Sequence, residues 1–158
     1  TPSHGSLSGT LPFLTYTPET DYFGVDSFTF SASDGTLSST DTLISINVTN
    51  VNDPPAISTI NDVEWLARAA HTYLDHPFTD VDGDTLTYSA TLDSGALPAW
   101  LSIDPASGQL SGTPTNDDTG AYEIEISATD GHGGTGSTTF TLSVLFNPFK
   151  VFLPLIER

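Results

Sequence analysis

Residues 28–35, FTFSASDG, return as IEISATDG at residues 124–131, and the step from Asp34 to Asp130 is 130 − 34 = 96 residues. A match at that spacing divides the 158-residue chain into two copies of one module. The segments that follow agree as well: Leu43, Ile44, Ile46 and Val48 close the first copy with an apolar strand, and Phe140, Leu142, Val144 and Phe146 close the second. Apolar and polar residues alternate in short runs broken by Gly, Pro, Asn and Asp, with no helical periodicity. That pattern predicts an all-β chain of tandem antiparallel β-sandwiches. Residues 63–71, VEWLARAAH, are expected as strand or irregular structure, although they could form one helical turn.

The junction follows from local chemistry. In NVTNVNDPPAI, residues 47–57, the proline pair cannot continue a central strand and stiffens a short extended connection. The expected organisation is an incomplete sandwich over residues 1–53, a complete one over 54–146, and an apolar tail over 147–158. Shifting FTDVDGDTLTY, residues 78–88, back by the repeat step places it before Thr1, so the first copy lacks its opening strands. Either upstream residues were cut away or something else fills the gap, because unpaired strand edges recruit other strands. The tail, NPFKVFLPLIER, is a candidate donated strand for the first domain of a neighbouring molecule, giving a head-to-tail homopolymer. It could instead fold back on its own domain or serve as a surface-sorting signal, and Pro154 fits only an edge.

Charge sets the partners. Asp+Glu number 20 against Lys+Arg 3, a net charge of −17, which disfavours nucleic acid and anionic membrane surfaces and favours cations. With hydrophobic content of 37% and no cysteine, the cores are thin and no disulfide or thiolate site supports them. Bound cations would supply that support. No signal peptide is evident, and residues 151–156, VFLPLI, are too short to span a bilayer. Composition favours an extracellular, cell-surface protein with no membrane insertion.

Asp80, Asp82 and Asp84 alternate, and an extended backbone would point all three carboxylates one way, where they repel. The spacing is not that of an EF-hand: Gly83 falls one place early, and the twelfth position from Asp80 is Thr91 rather than Glu. Zinc is disfavoured, since His4, His71, His76 and His132 show no paired spacing and are expected as surface or packing histidines. Hard oxygens gathered from several loops suit Ca²⁺. The plain alternative is a solvated Asp-Gly turn. Trp65 and Trp100 are expected in the core or at its rim, and Asn47-Val-Thr49 fits a glycosylation acceptor but reads equally as β-branched strand.

SATDG with Tyr122 eight positions before Asp130, the linker NVNDPP and the DVDGD turn together resemble the cadherin-like repeats of bacterial surface proteins. The second domain is similar to the dystroglycan-type variety, through GALPAWLSIDPASGQLSGTP at residues 95–114. The first, with YTPETDYFGVDSFTFSASDG, resembles adhesin-type repeats. The resemblance implies a calcium site at the junction with ligands from Asn52 and Asp53, Asp80 and Asp82, nearby Asp84, and Asp130. It also implies Glu19 and Asp21 from the first domain. Asn50 stands where an acidic residue is common, and the first-strand Glu is missing, so one or two ions are expected rather than three. Asp34 and Asp117 would face away from this site and could form an intermolecular one.

The function these features favour is non-enzymatic: a calcium-binding structural or adhesion protein, a subunit of a surface filament or stalk. A carbohydrate-binding or spacer module of a larger surface protein or enzyme is the alternative, with a glycan or another surface protein as partner. An enzyme built on Asp104, Asp117 and Asp118 is disfavoured, since loop-borne carboxylates in Thr/Gly-rich turns give no defined pair or cleft.

Overall fold

A computed structural model describes residues 1–73 and 78–148. The chain forms two compact units, divided between Asn52 and Asp53. Among the described residues there is no α-helix; thirteen strands carry the fold.

In the first unit, β1 (Gly5–Thr10) and β2 (Phe13–Pro18) form one antiparallel hairpin, and β3 (Gly24–Phe30) and β4 (Thr42–Val48) form another. Alternation along GVDSFTF turns Asp26 inward and leaves Val25 and Thr29 outward. Asp26, a carboxylate, is the one fully buried residue among the described residues of this unit. On β3, its oxygens accept the Ser3 N–H (2.9 Å) and His4 N–H (3.0 Å) ahead of β1, the Tyr16 hydroxyl on β2 (2.9 Å) and the Ser27 N–H (2.7 Å). One side chain therefore ties the two hairpins together. Burial alone would raise its pKa, but the Ser3, His4 and Ser27 amides and the Tyr16 hydroxyl outweigh it and lower it to about 2. Burial and the same contact push the Tyr16 hydroxyl up to about 12.

The second unit contains β5 (Ala56–Ile57), β6 (Val63–Leu66), β7 (His71–Tyr73), β8 (Phe78–Thr79), β9 (Thr87–Leu92), β10 (Leu101–Ile103), β11 (Leu110–Gly112), β12 (Gly120–Thr129) and β13 (Thr135–Leu145). A four-stranded sheet, β6-β13-β12-β9, packs against a three-stranded sheet, β10-β11-β7, while β5 pairs with β8. Ile124, Ile126 and Ala128 on β12 and Phe140, Leu142 and Val144 on β13 alternate into a core with Trp65, Phe78, Leu101 and Leu110. Phe140 meets Tyr73 across the two sheets at 5.8 Å between ring centroids. Trp65 is buried, and Trp100 packs edge-on against Trp65 and Tyr122, which places both indoles in or beside the core.

The sequence repeat is also a repeat of strand register. Phe28 pairs with Ile44 and Ile124 with Phe140, both shifted by the same 96 residues. The chain differs from a purely antiparallel arrangement at one pair, since β6 runs parallel to β13. VEWL reaches that edge as a crossing strand rather than a hairpin partner, and residues 67–70 turn the chain towards β7. Beyond β13 the Asn147 N–H donates to Asn116 Oδ1 (3.1 Å), Asn116 Nδ2 donates to the Asn147 carbonyl (3.1 Å), and Asn147 Nδ2 donates to the Ala67 carbonyl (3.0 Å). His76 and residues 149–158, most of the expected donated strand, lie outside the described residues.

Because the folded pKa of Asp26 lies below the ordinary 3.8, its contribution to stability is complete above about pH 4 and is lost as the pH falls through about 2. Acid titration followed by amide exchange at Ser3 and His4 should show the first unit loosening over that window, and Asp26→Asn should abolish the dependence. Fluorescence of Trp65 and Trp100, both in the second unit, serves as the internal control.

Candidate cation site

The acidic turn after β8 does not run extended. Asp80 Oδ1 accepts the backbone N–H of Asp82 (3.0 Å) and of Asp84 (3.1 Å), so the chain curls around that carboxylate. Gly83 supplies the left-handed residue that the curl needs, with φ +80° and open space where a Cβ would sit. The curl separates the three acids. Asp82 turns to accept the Asp53 N–H at 2.8 Å, which leaves Asp80 and Asp84 to face the end of β12.

Asp130 stands at that end, 3% exposed. Its Oδ1 accepts N–H groups from His132 (2.7 Å) and Gly134 (2.9 Å) in the turn leading to β13. Carboxylate oxygens of Asp80, Asp84 and Asp130 lie within 4.8 Å of one another. Asp84 Oδ2 is also 3.0 Å from His132 Nδ1. The second oxygen of Asp80 is buried and has no hydrogen-bond partner. A buried carboxylate oxygen without a donor is costly, and two like charges 4 Å apart repel by about 1 kcal/mol in water and about 4 kcal/mol at an effective dielectric near 20.

The donor set fits a hard divalent cation. All three groups offer oxygen, and two oxygens each about 2.4 Å from one Ca²⁺ can be at most about 4.8 Å apart. Asp80 Oδ2 would receive the partner it lacks. Tetrahedral zinc favours nitrogen and sulfur ligands, and among the described residues one imidazole, that of His132, is paired with the cluster.

Of the ligands expected from sequence, Asp80, Asp84 and Asp130 come together, with Asp82 and the Asp53 backbone buttressing them. Glu19, Asp21 and Asn52 belong to the first unit and are exposed. The Glu19 N–H donates to the His4 carbonyl at 2.9 Å, its carboxylate lies 3.9 Å from His4 Nδ1, and Asp21 adopts φ 57°. The cluster described here is therefore built from the second unit alone.

Two contributors escaped the sequence reading. His132, expected as a surface or packing histidine, reaches Asp84. Gly134 is required because a Cβ there would collide with the Asp130 carboxylate and come within 2.7 Å of Pro54 Cα. The run GHGG after Asp130 was the available signal for both. His4 stacks on Tyr22 and His71 on Trp65, each as a packing ring.

The remaining singled-out acids serve loops. Asp34 accepts N–H groups from Thr36 and Leu37, and the Leu37 bond leads in lowering its pKa. Asp104 accepts from Ala106 and Ser107, which lowers its pKa, while Asp118 accepts from the Thr115 hydroxyl and N–H as half of a capping box. Asp117 is exposed on the short 3₁₀ turn Asn116–Asp118, and Asn47 is exposed on β4.

A family model described as "Putative Ig domain" (He_PIG) matches residues 54–145, more than half of the chain. The chain belongs to this family. A second model, "Bacterial Ig domain" (Big_9), matches residues 1–47. The structure of human mucin-like protocadherin EC1-2 matches 90% of this chain and 81% of its own at 14% identity, with TM-score 0.68. The protocadherin GammaB4 extracellular domain matches 92% of this chain and 26% of its own at 20% identity, with TM-score 0.59. An endo-fucoidan hydrolase, MfFcnA4 of glycoside hydrolase family 107, matches 94% of this chain and 23% of its own at 31% identity, with TM-score 0.47. The chain spans about a fifth of the length of the galactosidases and fucoidan hydrolases it matches. No curated protein matches it in sequence. The chain is thus a tandem of Ig-like, cadherin-like repeats, and its He_PIG unit carries the tyrosine corner of Ig sandwiches: the Tyr122 hydroxyl donates to the Asp118 carbonyl at 2.7 Å.

Gly134→Ala should destabilise the He_PIG unit by about 1–3 kcal/mol through overpacking against Asp130 and Pro54. Gly131→Ala, with φ +79° and open space around it, should cost only about 1–2 kcal/mol from its backbone conformation. Thermal unfolding followed by tryptophan fluorescence measures both, and only Gly134→Ala should also alter a metal-dependent shift.

Proposed function

We propose that this chain is a calcium-binding, non-enzymatic structural or adhesive module of an extracellular surface protein. The observation that carries the reading is the cluster of Asp80, Asp84 and Asp130 oxygens around the buried, partnerless Asp80 Oδ2. Those three carboxylates hold the ion, and Asp82, through the Asp53 N–H, fixes the linker residue beside them. The ion supplies charge neutralisation. The protein's own contribution is to hold the acids in a preformed turn, so that binding stabilises the fold in which the oxygens are assembled and has no counterpart in the unfolded chain. Among the described residues no helix is long and apolar enough to cross a membrane.

The same reading includes self-association. The apolar tail enters the first unit of a second molecule, and repeated head-to-tail contacts build a filament or stalk. The high acidity of the surface keeps such rods apart except where the tail's basic residues make contact.

Calcium at 100 times its dissociation constant should stabilise the second unit by about 2.7 kcal/mol, read as a rise in the melting temperature of the tryptophan signal. Asp80→Asn and Asp130→Asn should lose that rise, whereas Asp104→Asn should keep it. In chelator Asp84→Asn should match or exceed the unmodified protein, since without metal the repulsion it removes outweighs its contact with the exposed His132. Equal melting temperatures for the unmodified chain in millimolar Ca²⁺ and in chelator would end the proposal. Electron microscopy in both conditions, with and without residues 149–158, tests the assembly.

A further inference from the structure

In the second unit β13 is flanked on both sides, by β12 and by β6, which lies parallel to it along Leu142–Leu145. Since β3 and β4 repeat β12 and β13 in register, the matching stretch runs from Ile46 (142 − 96) on β4 to Thr49 (145 − 96), one residue past its end. The sheet there has only two strands, so among the described residues β4 pairs with β3 alone. Large apolar side chains lie exposed around this sheet, including Val25 (66%), Phe30 (50%) and Leu43 (64%). An open edge beside uncovered apolar surface is a site for an added strand.

The strand that occupies this place in the second unit has a definite pattern. Val63, Glu64, Trp65 and Leu66 read apolar, charged, apolar, apolar, with Val63 and Trp65 turned towards the core. The tail repeats that order at Phe149, Lys150, Val151 and Phe152, and Pro154 follows, where a four-residue ladder has already ended. Charge agrees with pattern. Residues 1–52 hold five carboxylates, Glu19, Asp21, Asp26, Asp34 and Asp41, and no Lys or Arg, whereas the tail holds Lys150 and Arg158, two of the three basic residues of the chain. The tail also starts from a fixed point, because Asn147 is held by Asn116 and Ala67.

We propose that residues 149–152 of a second copy of this chain add to the free edge of β4 as a parallel strand, Phe149 beside Ile46 and Phe152 beside Thr49. The assignment rests on the self-association proposed above and deepens it by naming the edge, the direction and the register. The free edge of β3 is the competing site, since β9 flanks β12 in the second unit. Val151 and Phe149 would cover the inward side of Ile46 and Val48, and Lys150 would lie on the outer face beside Asn47.

The absence of native cysteine makes the test direct. Full-length chains carrying Asn47→Cys and full-length chains carrying Lys150→Cys are mixed and treated with a short thiol cross-linker. A parallel set pairs Thr29→Cys on β3 with Lys150→Cys. The expected result is a heterodimeric product from Asn47→Cys about tenfold above that from Thr29→Cys, because cross-linking requires close approach of the two side chains. A product from Thr29→Cys instead, or a monomeric cross-link in the Asn47→Cys, Lys150→Cys double variant, overturns the inference. Filaments with no product from either pair overturn the inference and leave self-association standing. No product and no assembly in sedimentation overturns both.

Discussion

Acceptance of backbone N–H groups by aspartate carboxylates organises this molecule at many of its bends. With no cysteine and a thin core, the chain has few other ways to fix its loops. Asp26 ties two hairpins that bury no apolar side chain fully. Asp34 and Asp104 each take two amides two and three residues ahead, Asp118 caps a 3₁₀ turn, and Asp80 and Asp130 each curl the backbone around one oxygen. A short, ionised acceptor makes stronger hydrogen bonds than a neutral one and needs little side-chain order. The high acidity of the chain is therefore partly structural, not only a means of solubility.

The same chemistry produces a cation site at one place because of what is left over there. Asp34 and Asp104 are exposed, and their spare oxygens face water. At the β8 turn Asp80 spends Oδ1 on two amides and buries Oδ2 with no donor, while Asp84 and Asp130 approach it from the chain ahead and from the next turn. Removing water strengthens both the repulsion among these groups and their attraction for a cation. Gly83 and Gly134 make the approach sterically possible, the first by its left-handed φ and the second by leaving room for the Asp130 carboxylate. Site and fold thus depend on the same turns.

Much of this was legible in the sequence, for physical reasons that differ by element. The period-2 alternation in IEISAT and FTLSV announced long core strands, and the 96-residue repeat carried over into pairing register because register is set by which face must be buried. Asp80, Asp84 and Asp130 were found through their motifs. The parallel placement of β6 was not legible, since four residues of alternating pattern fit either direction of pairing. Asp26 was not singled out from the sequence, because nothing local reveals that donors from residues 3, 4 and 16 will converge on it. His132 was missed for the same reason: its partner lies 48 residues away.

The two units also differ in how each satisfies the same position. Tyr122 occupies in the second unit the place that Asp26 holds in the first, since 26 + 96 = 122 and both pair in the same register, with Leu142 and Ile46 opposite. Tyr122 sends its hydroxyl back to the Asp118 carbonyl and packs against Trp100, so that corner is closed by an aromatic ring within a substantial core. Asp26 has no such core to enter and instead draws in the amides of residues 3 and 4. A polar tie of this kind fixes geometry without burying apolar surface, and most of the first unit's hydrophobic side chains stay in contact with solvent. The first unit is thereby geometrically defined while leaving Val25, Phe30 and Leu43 exposed, and covering them would add stability in proportion to the apolar area removed from water.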